Sequence, residues 1–358
     1  MTESKAHLPA TFATLALGTL LMLVALPGVG LAFAPAVLFD SPELLDGGYL
    51  EGAFNGLVSF EKHTGDHVAI LKPEPGAPPS PEECVAMVKK ALAEGREPIV
   101  SVGFSFADAF RELTPKNPLV RFVIIDEIVD APNVASIVFR EEEGSFLVGA
   151  LAAMATKTNT VGFVGGMDCE LIRRFGCGFA QGVAHQRPGV QVLTAMAGTT
   201  VMAWENPAKG EALAKAMIAQ GADVIYHAAG RTGEGVIKAC ADAKVLAIGV
   251  DSNQNHLAPG FVLTSMLKRM DVALFLTLSE AKAGAWTPGT RRLGLKEGAL
   301  DWAVDEHNIM LIDLREQEEL DRLSFEIIAG LLRVHVYKER WGCPDIDFGP
   351  PPDAAPGE

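Results

Sequence analysis

The sequence predicts an α/β protein made of two doubly wound, mainly parallel sheets, and three observations carry that expectation. Short apolar runs alternate with amphipathic stretches, the rhythm of repeated strand and helix units. The candidate strands are apolar on both faces, as a sheet covered by helices on both sides requires. The rhythm pauses over residues 138–158 and then starts again, which divides the chain into two units. With 358 residues, 49% hydrophobic and 21% charged, the chain can bury a large core and more than one domain.

In the first unit Ala36–Phe39 is the opening strand, followed by a helix over 48–62, a strand over 67–71 and a helix over Pro81–Ala93. A strand over 98–102, a helix start at 107–112 and a strand over 121–125 complete it. The second unit runs from a strand at 160–164 to a helix at 170–185, then a strand at 191–194, a loop and a helix at 207–220. A strand at 224–226, a helix at 234–241 and a strand at 245–250 lead into Asp251. Residues 138–158 join the units, and a crossover back after Asp251 gives the links that let two lobes close on a ligand. The expected lobes are therefore 35–138 with about 252–264, and 139–251 with about 265–348. The Pro-rich tail 349–358 (GPPPDAAPGE) is expected to be disordered.

Charge and leader bound the setting. The 45 acidic against 30 basic residues leave a net charge of -15, which repels phosphate backbones and makes nucleic acid an unsuitable partner. Residues 13–34 are almost wholly apolar and end in Ala32-Phe33-Ala34, a small-x-small cleavage pattern, so residues 1–34 read as a signal peptide. The competing reading is an uncleaved anchor; Pro27, Gly28 and Gly30, which break a helix just before the cut, favour processing. Five cysteines at irregular spacing (84, 169, 177, 240 and 343) form neither a disulfide framework nor a metal pattern, and at least one is expected to be free. None lies at the end of the leader, so the expectation is a periplasmic monomer without a lipid anchor.

The glycine clusters at 162–166 and 230–235 match neither a phosphate loop nor the dinucleotide order, and read as turns that start helices. From such a turn Gly230 can still offer a backbone N–H to a polar ligand. No catalytic constellation is evident, and Glu141-Glu142-Glu143 reads as the solvated first turn of a helix. The expectation is a protein that is not an enzyme and has no cofactor or metal. Ligands of doubly wound sheets sit beyond the carboxyl ends of the strands, where Asp40, Phe104, Phe106, Asp126, Met167 and Asp251 fall. Carboxylates following apolar strands suit hydroxyl recognition.

The string VGFVGGMDCELIRRFGCGFAQGV (161–183) resembles the basic membrane protein family, as do residues 206–236, GVDSNQ (249–254), LTSMLKRMDVA (263–273) and 133–153. Members of that family are similar to purine nucleoside receptors that feed ABC transporters. The resemblance implies a type I periplasmic-binding fold, a nucleoside-like ligand held between two lobes, and an ABC transporter permease as partner. It implies, residue by residue, that Asp40 is the carboxylate ending the first strand, that Tyr49 stacks on the base, and that Trp204 faces it from the other lobe. Asp126 faces the cleft, Asp251 grips the ribose hydroxyls, and Lys268 makes a polar contact with the ligand. Two aromatics can sandwich a purine, and an ionised Asp accepts from both ribose hydroxyls. For Lys268 the alternative is a surface ion pair with Asp271 or a neighbour.

The chain departs from the family pattern at Asp46-Gly47-Gly48-Tyr49-Leu50, where Leu50 replaces an amide able to read a base edge. The aromatic pair is Tyr and Trp where phenylalanines are common, so another flat heterocycle carrying a polyol stays open as ligand. Two rivals also stay open. A sugar-responsive regulator would need a helix-turn-helix where the apolar leader stands, and a nucleoside hydrolase would need a metal-binding Asp cluster or a positioned base.

Overall fold

A computed structural model describes residues 33–76, 78–338 and 342–348. The leader up to residue 32 and the tail from 349 lie outside the described residues, and so do the expectations of a signal peptide and a disordered tail.

The first lobe opens with β1 (Ala36–Phe39), α1 (Tyr49–Thr64), β2 (Ala69–Leu71), α2 (Pro81–Ala93) and β3 (Ile99–Val102). It continues with α3 (Ala107–Leu113), β4 (Phe122–Ile125) and β5 (Val134–Phe139). The second lobe takes α4 (Glu141–Ala155), β6 (Thr160–Met167), α5 (Glu170–Gln186), β7 (Gln191–Gly198) and α6 (Pro207–Ala219). Then follow β8 (Val224–Ala228), α7 (Thr232–Ala243), β9 (Leu246–Asp251) and β10 (Val262–Lys268). Next, α8 (Met270–Lys282) and β11 (Gly289–Leu293) return to the first lobe, and β12 (Leu300–Trp302) and α9 (Leu314–Ile328) close the second.

The sheets run β11-β5-β4-β3-β1-β2 and β12-β10-β9-β8-β6-β7. Every pairing is parallel except β10 with β12. The reason is legible in the strands: β1, β3, β4 and β5 are buried at every position, so only a sheet with helices on both faces satisfies them. Local signals set several helix ends. Ser80 and Glu83 form a capping box before α2, with Pro81 at its first position.

The lobe boundaries differ from the expected ones. The return over 252–264 does not occur, because β10 pairs with β9 from Val262 to Leu267 and stays in the second sheet. The chain passes between the lobes at Arg140, Arg269 and Gly294. Arg140 N donates to Leu293 O at 2.8 Å and Arg269 N to Ala299 O at 2.9 Å, so the crossings are laced together. Residues 138–158 are no linker either: Val138 and Phe139 end β5, and α4 follows directly.

Two glycines decide how α4 and α5 meet. A Cβ on Gly149 would lie 2.1 Å from Phe179 O, and one on Gly178 would lie 2.4 Å from Glu142 O. The helices therefore touch backbone to backbone, and α5 covers the first turn of α4. Glu141 and Glu142 are 0% and 3% exposed, so the acidic run is not the solvated turn that the sequence suggests.

One cysteine pair forms, Cys177 with Cys343, while Cys84, Cys169 and Cys240 are free. Among the described residues no helix is long and apolar enough to cross a membrane, and no cluster of His, Cys, Asp and Glu could hold a metal ion.

Candidate ligand-binding cleft

Parallel pairing aims the carboxyl ends of the strands in each sheet at the space between the lobes. A cavity of about 360 Å³ opens there, and its wall combines Phe104, Asp126 and Arg292 of the first lobe with Met167, Cys169 and Arg174 of the second.

Lys268, the last residue of β10, is 3% exposed and sits at the centre of the charged groups. Its Nζ donates to Asp126 Oδ2 at 2.7 Å and to Glu141 Oε1 at 3.1 Å. Three rings surround the ammonium: Phe139 at 4.7 Å, Tyr49 at 5.4 Å and Phe175 at 5.7 Å to the centroids. Burial alone would lower its pKa, but Asp126 and Glu141 outweigh burial and hold it above the ordinary lysine value. Lys268 is charged and joins the two lobes, since Asp126 belongs to the first. It is not a surface residue paired with Asp271, which Arg269 holds at 2.8 Å.

The other carboxylates stand in different states. Asp40, directly after β1, accepts a short hydrogen bond from the Ser105 hydroxyl; burial raises its pKa and that bond opposes the rise. Asp251, the last residue of β9, has φ +66° and makes no side-chain hydrogen bond to another described residue. A Cβ on Gly48 of the first lobe would lie 3.9 Å from its Cβ. Part of Asp251 stays open to solvent, yet its carboxyl lies among charged groups of both lobes. Burial first, then the charges of Asp46, Asp126 and Glu141 against the pull of Lys268, push its pKa up to about 7. Glu142 is likewise pushed up to about 7, by burial first and then by Glu141, with Arg174 opposing.

The aromatics are placed by backbone features. Tyr49 begins α1; its buried hydroxyl makes no hydrogen bond of normal geometry, although Asp126 is near enough to raise its pKa beyond what burial does. Trp204 rests against bare backbone, since a Cβ on Gly166 would lie 2.2 Å from its ring. Gly230 has φ +54° and packs beside the Trp204 backbone, at the turn that starts α7. Ser252 Oγ donates to Gly47 O at 2.5 Å, a further contact from lobe to lobe.

Cavity and charge thus bring together Asp126 with Phe104 and Met167, and Asp126 with Tyr49, Asp251 and Lys268. Phe106 is a correction: it is 0% exposed and packs in the outer core cluster of the first lobe with Ala36 and Phe110. In the tight helical turn 104–106 residues two apart lie about 120° apart round the axis, and Phe104 lines the cavity while Phe106 turns into the core. Sequence reading missed Phe139, Phe175, Glu141 and Arg174. Only the covering of α4 by α5 reveals them, and the small residues Gly178 and Gly182 are its sequence trace.

Two α/β lobes crossed three times by the chain, with a charged aromatic cleft between them, define a solute-binding protein of the type I periplasmic-binding fold. Solved structures agree: an ABC transporter solute-binding protein of Aeropyrum pernix is 25% identical with a TM-score of 0.75, over 86% of this chain and 94% of that one. The family described as ABC transporter substrate-binding protein, PnrA-like (Bmp) matches residues 33–335, and the chain belongs to it. The resemblance to the basic membrane protein family is borne out. A Lactococcus lactis protein named ABC transporter nucleoside-binding protein BmpA is 30% identical over 82% of this chain and 87% of its own length. A Listeria monocytogenes CD4+ T-cell-stimulating antigen is 31% identical over 84% and 88%.

Proposed function

We propose that the protein captures a nucleoside, with purines preferred, between its lobes without transforming it, and delivers it as a monomer to an ABC permease. The single observation that carries the reading is Asp251: a carboxylate among charged groups of both lobes, with no side-chain hydrogen bond to another described residue, is an acceptor suited to a pair of vicinal hydroxyls. Tyr49 and Trp204, one from each lobe, are the proposed stacking rings. The relative named for nucleoside binding supports the same reading. Leu50 packs its side chain on the core, so base-edge recognition falls to other groups, and a flat heterocycle carrying a polyol is the second ligand class.

Calorimetry with inosine, guanosine, adenosine and the pyrimidine nucleosides, followed by chromatography of the mixtures, tests the proposal. Binding with intact nucleoside recovered is the expected result. Free base released in proportion to protein would establish a hydrolase, and no binding of any nucleoside would sink the ligand assignment. Export completes the proposal: protein recovered from the periplasm should begin near Pro35, and an intact leader there would refute processing.

A further inference from the structure

The family match ends at residue 335, and beyond it the described residues 336–338 and 342–348, linked by a bond from Gly342 N to Lys338 O at 2.8 Å, form a strap along α5. His335 and Gln181 exchange two hydrogen bonds, His335 N to Oε1 at 2.7 Å and Nε2 to His335 O at 2.9 Å. Cys343 is joined to Cys177 of α5. The rings of Tyr337 and Phe348 meet edge to face at 5.7 Å, and the Arg173 guanidinium lies 5.8 and 5.7 Å from their centroids. Arg173 Nη1 donates to the Tyr337 hydroxyl at 3.0 Å. A Cβ on Gly176 would lie 2.7 Å from the Phe348 ring, so α5 is shaped to receive the strap.

This strap reaches the cleft in two ways. Lys338 forms part of the cavity wall and donates to Glu170, another wall residue, at 2.9 Å. Arg173 grips Asp168 with two bonds, Nε to Oδ1 at 2.6 Å and Nη2 to Oδ2 at 2.8 Å. Asp168 directly follows the wall residue Met167 and precedes Cys169, also in the wall. Beneath the strap Arg173 is 2% exposed; without those rings its pair with Asp168 would face water, where such pairs hold little.

We propose that the strap is a wall of the ligand cleft fixed by Cys177–Cys343, with Arg173 as the positioning residue that passes its position to the loop from Met167 to Glu170. The proposal rests on the cleft being the ligand site. Its consequence is that the β6–α5 side of the cleft is set by a segment outside the family core.

The free thiol of Cys169 reports on this wall independently of any ligand, because thiol reactivity follows exposure. In a Cys177→Ser/Cys343→Ser protein, iodoacetamide should label Cys169 at least about tenfold faster than in the parent, with Cys84 and Cys240 still protected. If the parent binds a nucleoside, affinity for it should fall by at least about tenfold, a factor worth about 1.4 kcal/mol. Should the parent bind none, the labelling rate alone decides, so failure of the nucleoside reading and failure of the strap are separate results. Unchanged labelling overturns the proposal, and so does faster labelling with unchanged nucleoside affinity. If the serine variant lacks a cooperative melt or labels at Cys84, Lys338→Ala with the disulfide intact takes its place. There a rise in Cys169 labelling of at least about threefold is expected, and no rise overturns the proposal.

Discussion

Asp126 and Asp251 occupy matching places in the two lobes. Each follows or ends a core strand, β4 in one and β9 in the other, and each adopts the left-handed backbone, with φ +68° and +66°. Few L-residues other than Asn and Asp accept that conformation. Their side chains nevertheless do different work. Asp126 is bound to the Lys268 ammonium at 2.7 Å, so it helps clamp the lobes, whereas the Asp251 carboxylate makes no hydrogen bond to another described residue and is the acceptor proposed for the ligand. The same backbone device at a strand end does not fix a role; the partner brought by another element does.

Breaking the clamp should give the largest effect. Lys268→Met leaves Asp126 buried without its cation and Glu141 with Arg174 alone, and removing one partner of a buried ion pair costs about 3–5 kcal/mol. Urea denaturation measures it; a loss comparable to that of exposed pairs, under about 1 kcal/mol, would erase the distinction between the two aspartates.

The opposite signature is expected for Asp251→Asn, which keeps a residue tolerant of positive φ and removes the charge. Nucleoside affinity should fall by about 1.5–3 kcal/mol, the range for a bond to a charged group, and preference for ribo- over 2′-deoxynucleosides should shrink. Stability should hold or rise. A folded variant that binds like the parent would show Asp251 to be a hinge residue and nothing more.

Acidity sharpens the same contrast. The pKa of Asp251 in the folded protein, about 7, lies above its ordinary value, so nucleoside affinity should drop as pH falls below 7, approaching about tenfold per unit. For stability the sign is reversed. A carboxyl that holds its proton more tightly when folded adds stability at low pH, and that contribution is lost as pH rises from the ordinary carboxylate range to about 7. The smallest effect follows for Glu142, also near 7. Glu142→Gln should raise stability by about 1 kcal/mol at pH 8, less than the shift alone suggests because the attraction of Arg174 goes with the charge. At pH 5 the gain should vanish, since Glu142 is protonated there; an equal gain at both pH values would mean that its burial plays no part.

Most of the alternation of strands and helices from β1 to β9 was legible in the sequence because periodicity is local: a strand covered on both faces must be apolar at every position. The exception is β5 (Val134–Phe139), which overlaps the expected joining segment. Strand ends were legible for the same reason, and with them Asp40, Asp126 and Asp251. What the charged residues do was not. A run such as Glu141-Glu142-Glu143 has one pattern whether its helix turn meets water or another helix, and only the contact of Gly178 with Glu142 decides which. The second and third lobe crossings, expected around residues 252–264, fall instead at Arg269 and Gly294 because the pairing of β10 with β9 extends the second sheet, a long-range choice. Cys177 and Cys343, separated by 166 residues, have no local signal for each other, and neither do Lys268 and Asp126. Local chemistry determined the elements and the acceptors at their ends; tertiary packing decided which of those acceptors are engaged by the protein and which are left for a ligand, because burial and charge partners exist only once distant segments meet.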